Sequence, residues 1–401
     1  MRRMAGAGAA LAAAAALVVG AGGAGAARTP AHAAQWTVAT VATGLDSPRG
    51  LVFASDGTLY VAEAGHGGDV CTSAGPLGEH CIGTSSQVTK VDPASGTLTP
   101  VVKGLFSRSV TLEGITGIDG VSAWGGKLLG AITSFPEQYD DWSCDGQPAD
   151  CGAVLAAAKA QAGKLVRFTP GGTWTPVADV GVHDIGVMER FPGLAGPDVG
   201  PGPNSNPYGV LALPTGAWVA DSGSDLLDWI PDSGDIDVAG VVPPPPPGGF
   251  PADGVPTCLA LVDGNLYAGD LAGRVWTRPT RGGSLTPIEV PVNDASGKAL
   301  LHHVTGCAAD EDGNLYFVDM WGTPGPPIPA GPESAAGTGS VVELAHGGAA
   351  SVLATGLDFP NGIAVAKDGS VYVSVGSTCT AQGTPFPYCA QGGKIVRLVS
   401  G

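Results

Sequence analysis

Acidic residues end four short apolar segments that are spaced along the chain. These residues are Glu63, Asp221, Asp270 and Asp319. Carboxylates that recur in this way could together supply the oxygen ligands that a hard cation such as Ca²⁺ prefers. Alternatively, each carboxylate could accept hydrogen bonds from backbone N–H groups in the next turn of its own segment. The repetition favours this second interpretation, because a structural need in each segment explains why each segment has an acid. Under the first interpretation, Ca²⁺ is the candidate cofactor.

A second set of residues occupies the turn by which a short strand begins. These positions are Arg49, Ile118, Tyr208, Thr257, Thr305 and Asn361, with Asn206 nearby. The arginine, the two asparagines and the tyrosine donate or accept hydrogen bonds strongly, so we predict that they contact a ligand where the strands converge. The alternative is that these side chains only shape their turns.

Two adjacent histidines, His302 and His303, precede another of these strands. An imidazole at a shared site could transfer protons or bind a metal. Successive residues of a strand point to opposite faces, so at most one of the two can face such a site. We assign His303 to the ligand-binding set, and a surface or turn role is the alternative.

The first residues of the chain have the features of a secretory signal peptide. Met1-Arg2-Arg3 is a basic start, Ala9–Val19 is an apolar run, and Ala31-His32-Ala33 matches a cleavage site. We therefore expect residues 1–33 to be removed and residues 34–401 to form one secreted, extracellular domain. No later apolar run is long enough to span a membrane.

The charge balance excludes one large class of partner. The chain has 36 acidic and 19 basic residues, which gives a net charge of −17. A nucleic-acid-binding protein needs clustered Lys and Arg to neutralise phosphates, and this sequence lacks them. The acidic balance suits a solvated extracellular surface.

Eight cysteines in an exported chain favour disulfides. Three pairs each lie within one Gly/Pro-rich segment, and one long-range pair remains. The expected disulfides are Cys71–Cys81, Cys144–Cys151, Cys379–Cys389 and Cys258–Cys307. Neither C-x-x-C nor H-E-x-x-H occurs in the sequence, so the pattern does not favour zinc.

Internal repeats identify the elements that position all of these residues. Residues 41–62 read VATGLDSPRGLVFASDGTLYVA and residues 353–374 read LATGLDFPNGIAVAKDGSVYVS, with 12 of 22 positions identical. Four more segments share the pattern, at 116–133, 206–221, 255–270 and 304–319. Each unit is a predicted β-hairpin, because a turn rich in Gly and Asp or Asn joins two short apolar strands.

Further strand signals follow each hairpin, such as QVTKVD at 87–92 and GKIVRLV at 393–399. Four strands per repeat are typical of a propeller blade, whose innermost strands line a central channel. The sixth unit lacks a fourth strand, whereas the spare strand QWTVATVATG precedes the first unit at 35–44. We predict an all-β, six-bladed β-propeller with four-stranded blades, in which the N-terminal strand completes the last blade and closes the ring. Longer insertions, for example at 135–162 and 183–205, are interpreted as loops.

The motifs in their order resemble a known family. The strings SPRGLVFASDGTLYVAEAG, NPYGVLALPTGAWVADSGSDLL and FPNGIAVAKDGSVYVS are similar to the ScyD/ScyE family of secreted bacterial proteins, within the six-bladed propellers of the NHL and gluconolactonase type. This resemblance implies the propeller fold and an extracytoplasmic location, without an assigned activity. The string PNG at 360–362 is similar to a metal-binding position of gluconolactonase-type hydrolases, and Asn361 is the residue that matches.

We therefore expect a secreted, monomeric propeller that binds a small ligand or an extracellular protein at the channel mouth. The alternative is a divalent-cation-dependent hydrolase or lyase of gluconolactonase-like type. In that alternative, Arg49 and Asn361 would polarise the substrate, and one of the four repeated carboxylates would act as base or metal ligand.

Overall fold

Six antiparallel sheets form the blades of a β-propeller. The structure, a computed structural model, describes residues 36–75, 78–111, 114–169, 171–194, 203–290, 299–323, 334–382 and 387–400. The inner strand of each blade contacts the inner strand of the next blade, and that of the sixth blade contacts that of the first. The prediction of an all-β, six-bladed propeller is confirmed.

The strands follow one another blade by blade along the chain. β1 (Trp36–Leu45) belongs to the last blade. Blade 1 contains β2 (Pro48–Phe53), β3 (Leu59–Glu63), β4 (Val70–Gly75), β5 (Gly78–Val91), β6 (Leu98–Val110) and β7 (Gly114–Thr116). Blade 2 contains β8 (Ile118–Trp124), β9 (Lys127–Ile132), β10 (Lys164–Phe168) and β11 (Trp174–Asp179). Blade 3 contains β12 (Pro207–Leu213), β13 (Gly216–Asp221), β14 (Leu226–Pro231) and β15 (Asp237–Val241).

The remaining three blades have four strands each. Blade 4 contains β16 (Pro256–Val262), β17 (Asn265–Asp270), β18 (Val275–Pro279) and β19 (Thr286–Ile288). Blade 5 contains β20 (Val304–Ala309), β21 (Leu315–Asp319), β22 (Gly339–Leu344) and β23 (Ala350–Leu357). Blade 6 contains β24 (Ile363–Val365), β25 (Val371–Val375) and β26 (Gly393–Ser400), and its outer strand is β1, which pairs antiparallel with β26.

The two ends of the propeller carry different connections. The first strand of a blade begins where the second ends, as the pairing of Pro48 with Glu63 shows. The long connections therefore all lie at the end where the inner strands begin, which we call the insertion end. Short turns such as Asp368-Gly369 lie at the opposite end, the turn end. There Gly369 has φ +79, and the Ser370 N–H donates to Asp368 at 3.0 Å.

Two insertions contain helices, which the interpretation as loops missed. They are α1 (Cys151–Gln161) and α2 (Val180–Arg190), and short 3₁₀ turns lie at Pro136–Tyr139 and Pro387–Cys389. α1 contains five alanines, the residue with the highest helix propensity. α2 begins after Asp179, whose side chain accepts a hydrogen bond from the Val182 N–H at 3.4 Å. Blade 1 also exceeds four strands, because β4 and β7 extend its sheet.

The hydrophobic core lies between neighbouring blades. For example, Leu59 of blade 1 packs in one cluster with Tyr372 and Ile395 of blade 6. Burying each leucine or isoleucine contributes about 1.5–3 kcal/mol, so every blade is stabilised by both of its neighbours.

All four predicted disulfides are present, Cys71–Cys81, Cys144–Cys151, Cys258–Cys307 and Cys379–Cys389. In the part of the chain that the structure describes, no helix has the length and apolar character needed to cross a membrane.

Candidate functional site

A β-bulge at the start of the inner strand presents one side chain of each of the first five blades. The strand pairing skips Arg49, Asp119, Tyr208, Thr257 and Thr305. A bulged residue leaves the pairing ladder and its side chain is re-aimed. In blade 6, Asn361 occupies the equivalent place just before β24. Five of these six residues, all except Arg49, line a cavity of about 60 Å³ in the channel at the insertion end.

Asp119 is the functional candidate that sequence reasoning missed. The alignment of the repeats gave Ile118 as the channel position of blade 2, whereas Ile118 is fully buried in the core between blades. A small residue follows each true channel position, as in Asp119-Gly120 and Asn361-Gly362. Aligning the repeats on this small residue, Gly120 in blade 2, would have identified Asp119 as the channel position.

The small residue is required because neighbouring inner strands approach closely. A Cβ atom on Gly362 would lie 2.3 Å from the backbone oxygen of Arg49 in the next blade. Blade 4 has Cys258 at this position, and its disulfide to Cys307 joins the inner strands of blades 4 and 5. The polar side chains of the channel are therefore held by a rigid ring of backbone.

Three polar side chains meet across the channel. The Asn361 Nδ2 donates to the Tyr208 hydroxyl at 2.6 Å, and an Arg49 Nη1 lies 3.5 Å from the same hydroxyl. Blades 3 and 6 are opposite in a ring of six, so the bond between Asn361 and Tyr208 spans the channel. The Arg49 guanidinium also donates to the backbone oxygen of Ile115. Three of the predicted ligand-binding residues thus lie together.

The Asp119 carboxylate is the least satisfied group of this network. It is 1% exposed, and apart from a backbone interaction with the Gly117 N–H that acts to lower its pKa, neither of its oxygens has a hydrogen-bond partner of good geometry among the described residues. Its ion pair with the Arg49 Nε is long, at 3.5 Å. Burial raises the pKa of Asp119 to about 6, although the Arg49 charge acts in the opposite direction. Buried polar groups normally have a partner, so this carboxylate has room for a donor from outside the chain.

The two channel threonines connect blades rather than offer free groups. The Thr257 hydroxyl donates to the backbone oxygen of Val304 at 2.7 Å. The Thr305 hydroxyl lies 3.3 Å from the backbone oxygen of Pro360. The donors and acceptors that remain available are therefore those of Arg49, Asp119, Tyr208 and Asn361.

The turn end of the channel is wider and apolar. A cavity of about 310 Å³ is lined there by side chains such as Phe53, Trp124 and Val365. The described lining residues of this cavity include no charged side chain. Selective hydrogen bonding is therefore concentrated at the insertion end.

The four repeated carboxylates are each held within their own blade. Glu63 accepts from the Asp46 N–H at 2.7 Å, and Asp221 accepts from the Asn206 N–H at 2.7 Å. Asp270 accepts from Arg274, through N–H at 2.9 Å and Nε at 2.7 Å. Asp319 accepts from the backbone N–H groups of His302 and His303, at 3.0 and 2.6 Å. None of the four lines the described channel cavities.

Burial changes the proton affinity of three of these acids. It raises the pKa of Glu63 and of Asp270 above the usual range. It raises the pKa of Asp221 to about 7, and the negative charge of Asp184 acts in the same direction.

His303 and Asn206 lie beside the channel rather than in it. The His303 ring is fully buried, stacks on Trp321 with centroids 4.0 Å apart, and has its Nδ1 3.1 Å from the Trp321 backbone oxygen. Burial lowers the pKa of His303 to about 4, so the ring is neutral at pH 7. The Asn206 side chain accepts a hydrogen bond from Thr133 of blade 2. Neither residue lines the described channel cavities.

No protein-family model matches the sequence, and no curated protein matches it significantly. Solved structures do match the fold.

A protein of unknown function from Bacteroides thetaiotaomicron matches with a TM-score of 0.53 and 12% identity, over 91% of this chain and 76% of the other. A gluconolactonase from Xanthomonas campestris matches with a TM-score of 0.51 and 9% identity, over 90% and 88% of the two chains. A virginiamycin B lyase from Staphylococcus aureus has a TM-score of only 0.43 at 12% identity, over 91% and 99%. At these identities the likeness concerns the fold alone.

Proposed function

We propose that this protein is a secreted, monomeric propeller that binds a small polar molecule at the insertion end of its channel. The observation that carries the proposal is the buried Asp119 carboxylate, whose two oxygens have no hydrogen-bond partner of good geometry among the described residues. Leaving such a group unsatisfied costs about 1–3 kcal/mol or more, which a ligand donor would recover.

The chemistry of the network defines the ligand class. Asp119 accepts hydrogen bonds, while the Arg49 Nε, which also has no hydrogen-bond partner in the described chain, can donate one. A hydroxyl group satisfies both, because it donates to the carboxylate and accepts from the guanidinium. The cavity of about 60 Å³ admits one such group and a few waters. The preferred ligand is therefore a small hydroxyl-bearing molecule that inserts one end into the channel.

The cellular context of this proposal rests on the N-terminus and the cysteines. Four disulfides are typical of proteins that fold in an oxidising compartment. Together with the expected cleavage after residue 33, they support secretion, while the order of the repeat motifs is the basis for proposing a relation to the ScyD/ScyE family. The same site could bind an extracellular protein, if that protein inserts a hydroxyl-bearing group into the channel.

The alternative function, a cation-dependent hydrolase or lyase at the channel mouth, is less well supported. It needs carboxylates that converge on a metal, and the four repeated acids instead contact donors of their own blades. Asp119 faces Arg49, whose fixed positive charge occupies the place of a cation. Channel binding therefore needs no divalent cation.

Ligand screening with paired variants tests the proposal. The protein, exported with its own N-terminal segment, is screened by saturation-transfer NMR against small polyols, sugars, hydroxy acids and apolar compounds of equal size. We expect polyhydroxylated compounds to bind, and Asp119→Asn to weaken them tenfold or more, because a hydrogen bond to a charged group contributes about 1.5–3 kcal/mol. Asp263→Asn, at an exposed turn-end acid, is the matched control.

Two results would contradict this function. Binding that Asp119→Asn leaves unchanged would move the site away from the channel. Hydrolysis of an aldonolactone that EDTA abolishes and Ca²⁺ restores would favour the hydrolase alternative instead.

A further inference from the structure

A second group of buried charges lies outside the channel, between helix α2 and blade 3. α2 carries His183 and Asp184 near its N-terminus, and Asp228 lies in β14. One ligand atom from each of the three residues lies within 4.8 Å of the others. Asp184 and Asp228 have no exposed surface, whereas the His183 side chain is 26% exposed. The group is thus buried on the side of the acids and open to solvent at the imidazole.

The hydrogen bonds of this group are unevenly distributed. Asp184 contacts the His183 Nδ1 at 2.8 Å through one oxygen and accepts from the Ser224 hydroxyl at 2.9 Å through the other. Neither oxygen of Asp228 accepts a hydrogen bond from a donor in the part of the chain that is described, and the side chain it contacts is the Asp184 carboxylate, which is also an acceptor unless a proton is shared. An unpartnered, fully buried carboxylate beside a second carboxylate requires a positive charge from elsewhere.

The electrostatics agree with this requirement. Asp228 is fully buried, and its charged neighbours are the Asp184 and Asp221 carboxylates. Asp221 supplies no positive charge either, because its oxygens act as acceptors, from Ser205 and from the N–H groups of Asn206 and Gly223. Either a proton or a cation must therefore lie between Asp184 and Asp228.

We propose that His183, Asp184 and Asp228 bind one divalent cation of the Zn²⁺ or Mn²⁺ type. One imidazole nitrogen and two carboxylates suit these metals, whereas Ca²⁺ takes six to eight oxygen ligands. The exposed edge of His183 provides the route for the cation. When bound, the cation would fasten α2 to the third strand of blade 3.

Metal content and thermal unfolding test this site. The purified protein is stripped with EDTA, and binding of Zn²⁺, Mn²⁺ and Ca²⁺ is then measured by isothermal titration calorimetry and as a shift of Tm. We expect one Zn²⁺ or Mn²⁺ per chain, with a Tm rise of about 4 °C at 100 times Kd. Asp228→Asn should weaken binding a hundredfold or more, and His183→Ala at least tenfold. His346→Ala, which removes an exposed histidine 3.8 Å from Asp263, is the matched control and should leave binding unchanged.

The Asp228→Asn variant also separates a cation from a shared proton. A shared proton predicts that no metal changes the wild-type Tm while Asp228→Asn raises it, because the variant removes the repulsion without a metal. That pattern would overturn the proposal. Binding of Ca²⁺ in place of Zn²⁺ and Mn²⁺, or metal binding that His183→Ala leaves intact, would overturn it as well.

Discussion

Aspartates at the two ends of the propeller have opposite electrostatic environments. At the turn end, Asp56, Asp92 and Asp368 each accept a hydrogen bond from the backbone N–H two residues on, which lowers their pKa. At the insertion end, burial raises the pKa of Asp119 to about 6 and that of Asp221 and Asp225 to about 7. The same residue type therefore stabilises the fold at one end and opposes it at the other. Among these acids Asp119 has capacity left for a ligand, whereas Asp221 and Asp225 already accept hydrogen bonds from neighbouring N–H groups.

The acids at the two ends should differ most strongly in how they change the free energy of unfolding with pH. A carboxyl whose pKa is raised in the folded state binds protons more tightly there than in the unfolded chain, so its stabilising effect is lost as pH rises through the folded pKa. We expect the free energy of unfolding of the EDTA-treated protein to fall between about pH 4 and pH 7, because the raised acids outnumber the buried His80 and His303, whose lowered pKa values act in the opposite direction over this range. Asp119 alone should contribute on the order of 3 kcal/mol.

Urea unfolding at pH 4.5, 6 and 7.5 measures this dependence. Asp225→Asn should flatten the curve, and Asp368→Ala should leave its slope above pH 5 unchanged. A free energy of unfolding that increases steadily from pH 4.5 to pH 7.5 would contradict the raised pKa values.

Substitutions at two glycines of blade 6 compare how tightly the backbone packs at the two ends of the propeller. A side chain on Gly362 would contact the Arg49 backbone at the insertion end, whereas one on Gly369 would meet no atom within 4 Å. We expect Gly362→Val to destabilise the protein by about 3–5 kcal/mol, because the backbone of the ring cannot yield. Gly369→Ala should cost about 1 kcal/mol, through its positive φ alone. Denaturant midpoints measure both, and similar losses would show that the ring is not tightly packed.

Two disulfides test whether the channel wall needs its covalent bridge. Cys258–Cys307 closes 49 residues between two blades, and Cys379–Cys389 closes 10 residues in one insertion. The chain-entropy relation gives about 4 kcal/mol for the first bridge and about 3 kcal/mol for the second. Double Cys→Ser variants are compared by urea unfolding, and their losses in free energy of unfolding should differ by about 1 kcal/mol. The difference can be larger, because Cys258 lies at the closely packed position that other blades fill with Gly. Equal losses would argue against a special role of the inter-blade bridge.

The smallest effect is expected at a turn-end acid. Asp368 accepts from the Ser370 N–H at 3.0 Å and pairs with Arg397 at 2.9 Å, in an exposed turn. Asp368→Ala should cost at most about 1 kcal/mol above pH 5. Because its pKa is lowered in the folded state, this contribution should disappear as pH falls below about 4. Thermal unfolding at pH 3 and pH 6 checks the prediction, and an equal loss at both values would contradict it.

The blades were predictable because their signals are local. An Asp-Gly turn between two alternating strands determines a hairpin, and six such units determine the number of blades. The four disulfides followed from spacing, since three pairs lie within single insertions and leave Cys258 with Cys307. The helices were not predicted, because the flanking Gly and Pro residues concealed the alanine-rich run of α1.

The channel site was only partly predictable because it depends on register. Arg49, Tyr208 and Asn361 were found from their turns. Asp119 was missed because blade 2 has Ile118 at the place where Pro48, Pro207 and Pro256 mark the residue before the channel position in other blades. The cluster of His183, Asp184 and Asp228 joins an insertion to a third strand, and no spacing along the chain indicates that contact.

A direct measurement of the Asp119 pKa tests the central claim that this carboxylate is buried and unsatisfied. The ¹³Cγ chemical shifts of the aspartates are followed by NMR from pH 3 to pH 9, with Asp119→Asn to assign its signal. We predict a midpoint of about 6, which a bound hydroxyl-bearing ligand lowers because it donates to the ionised form. A midpoint below 4 without ligand would show that Arg49 already satisfies Asp119, and the channel would then have no free acceptor to offer.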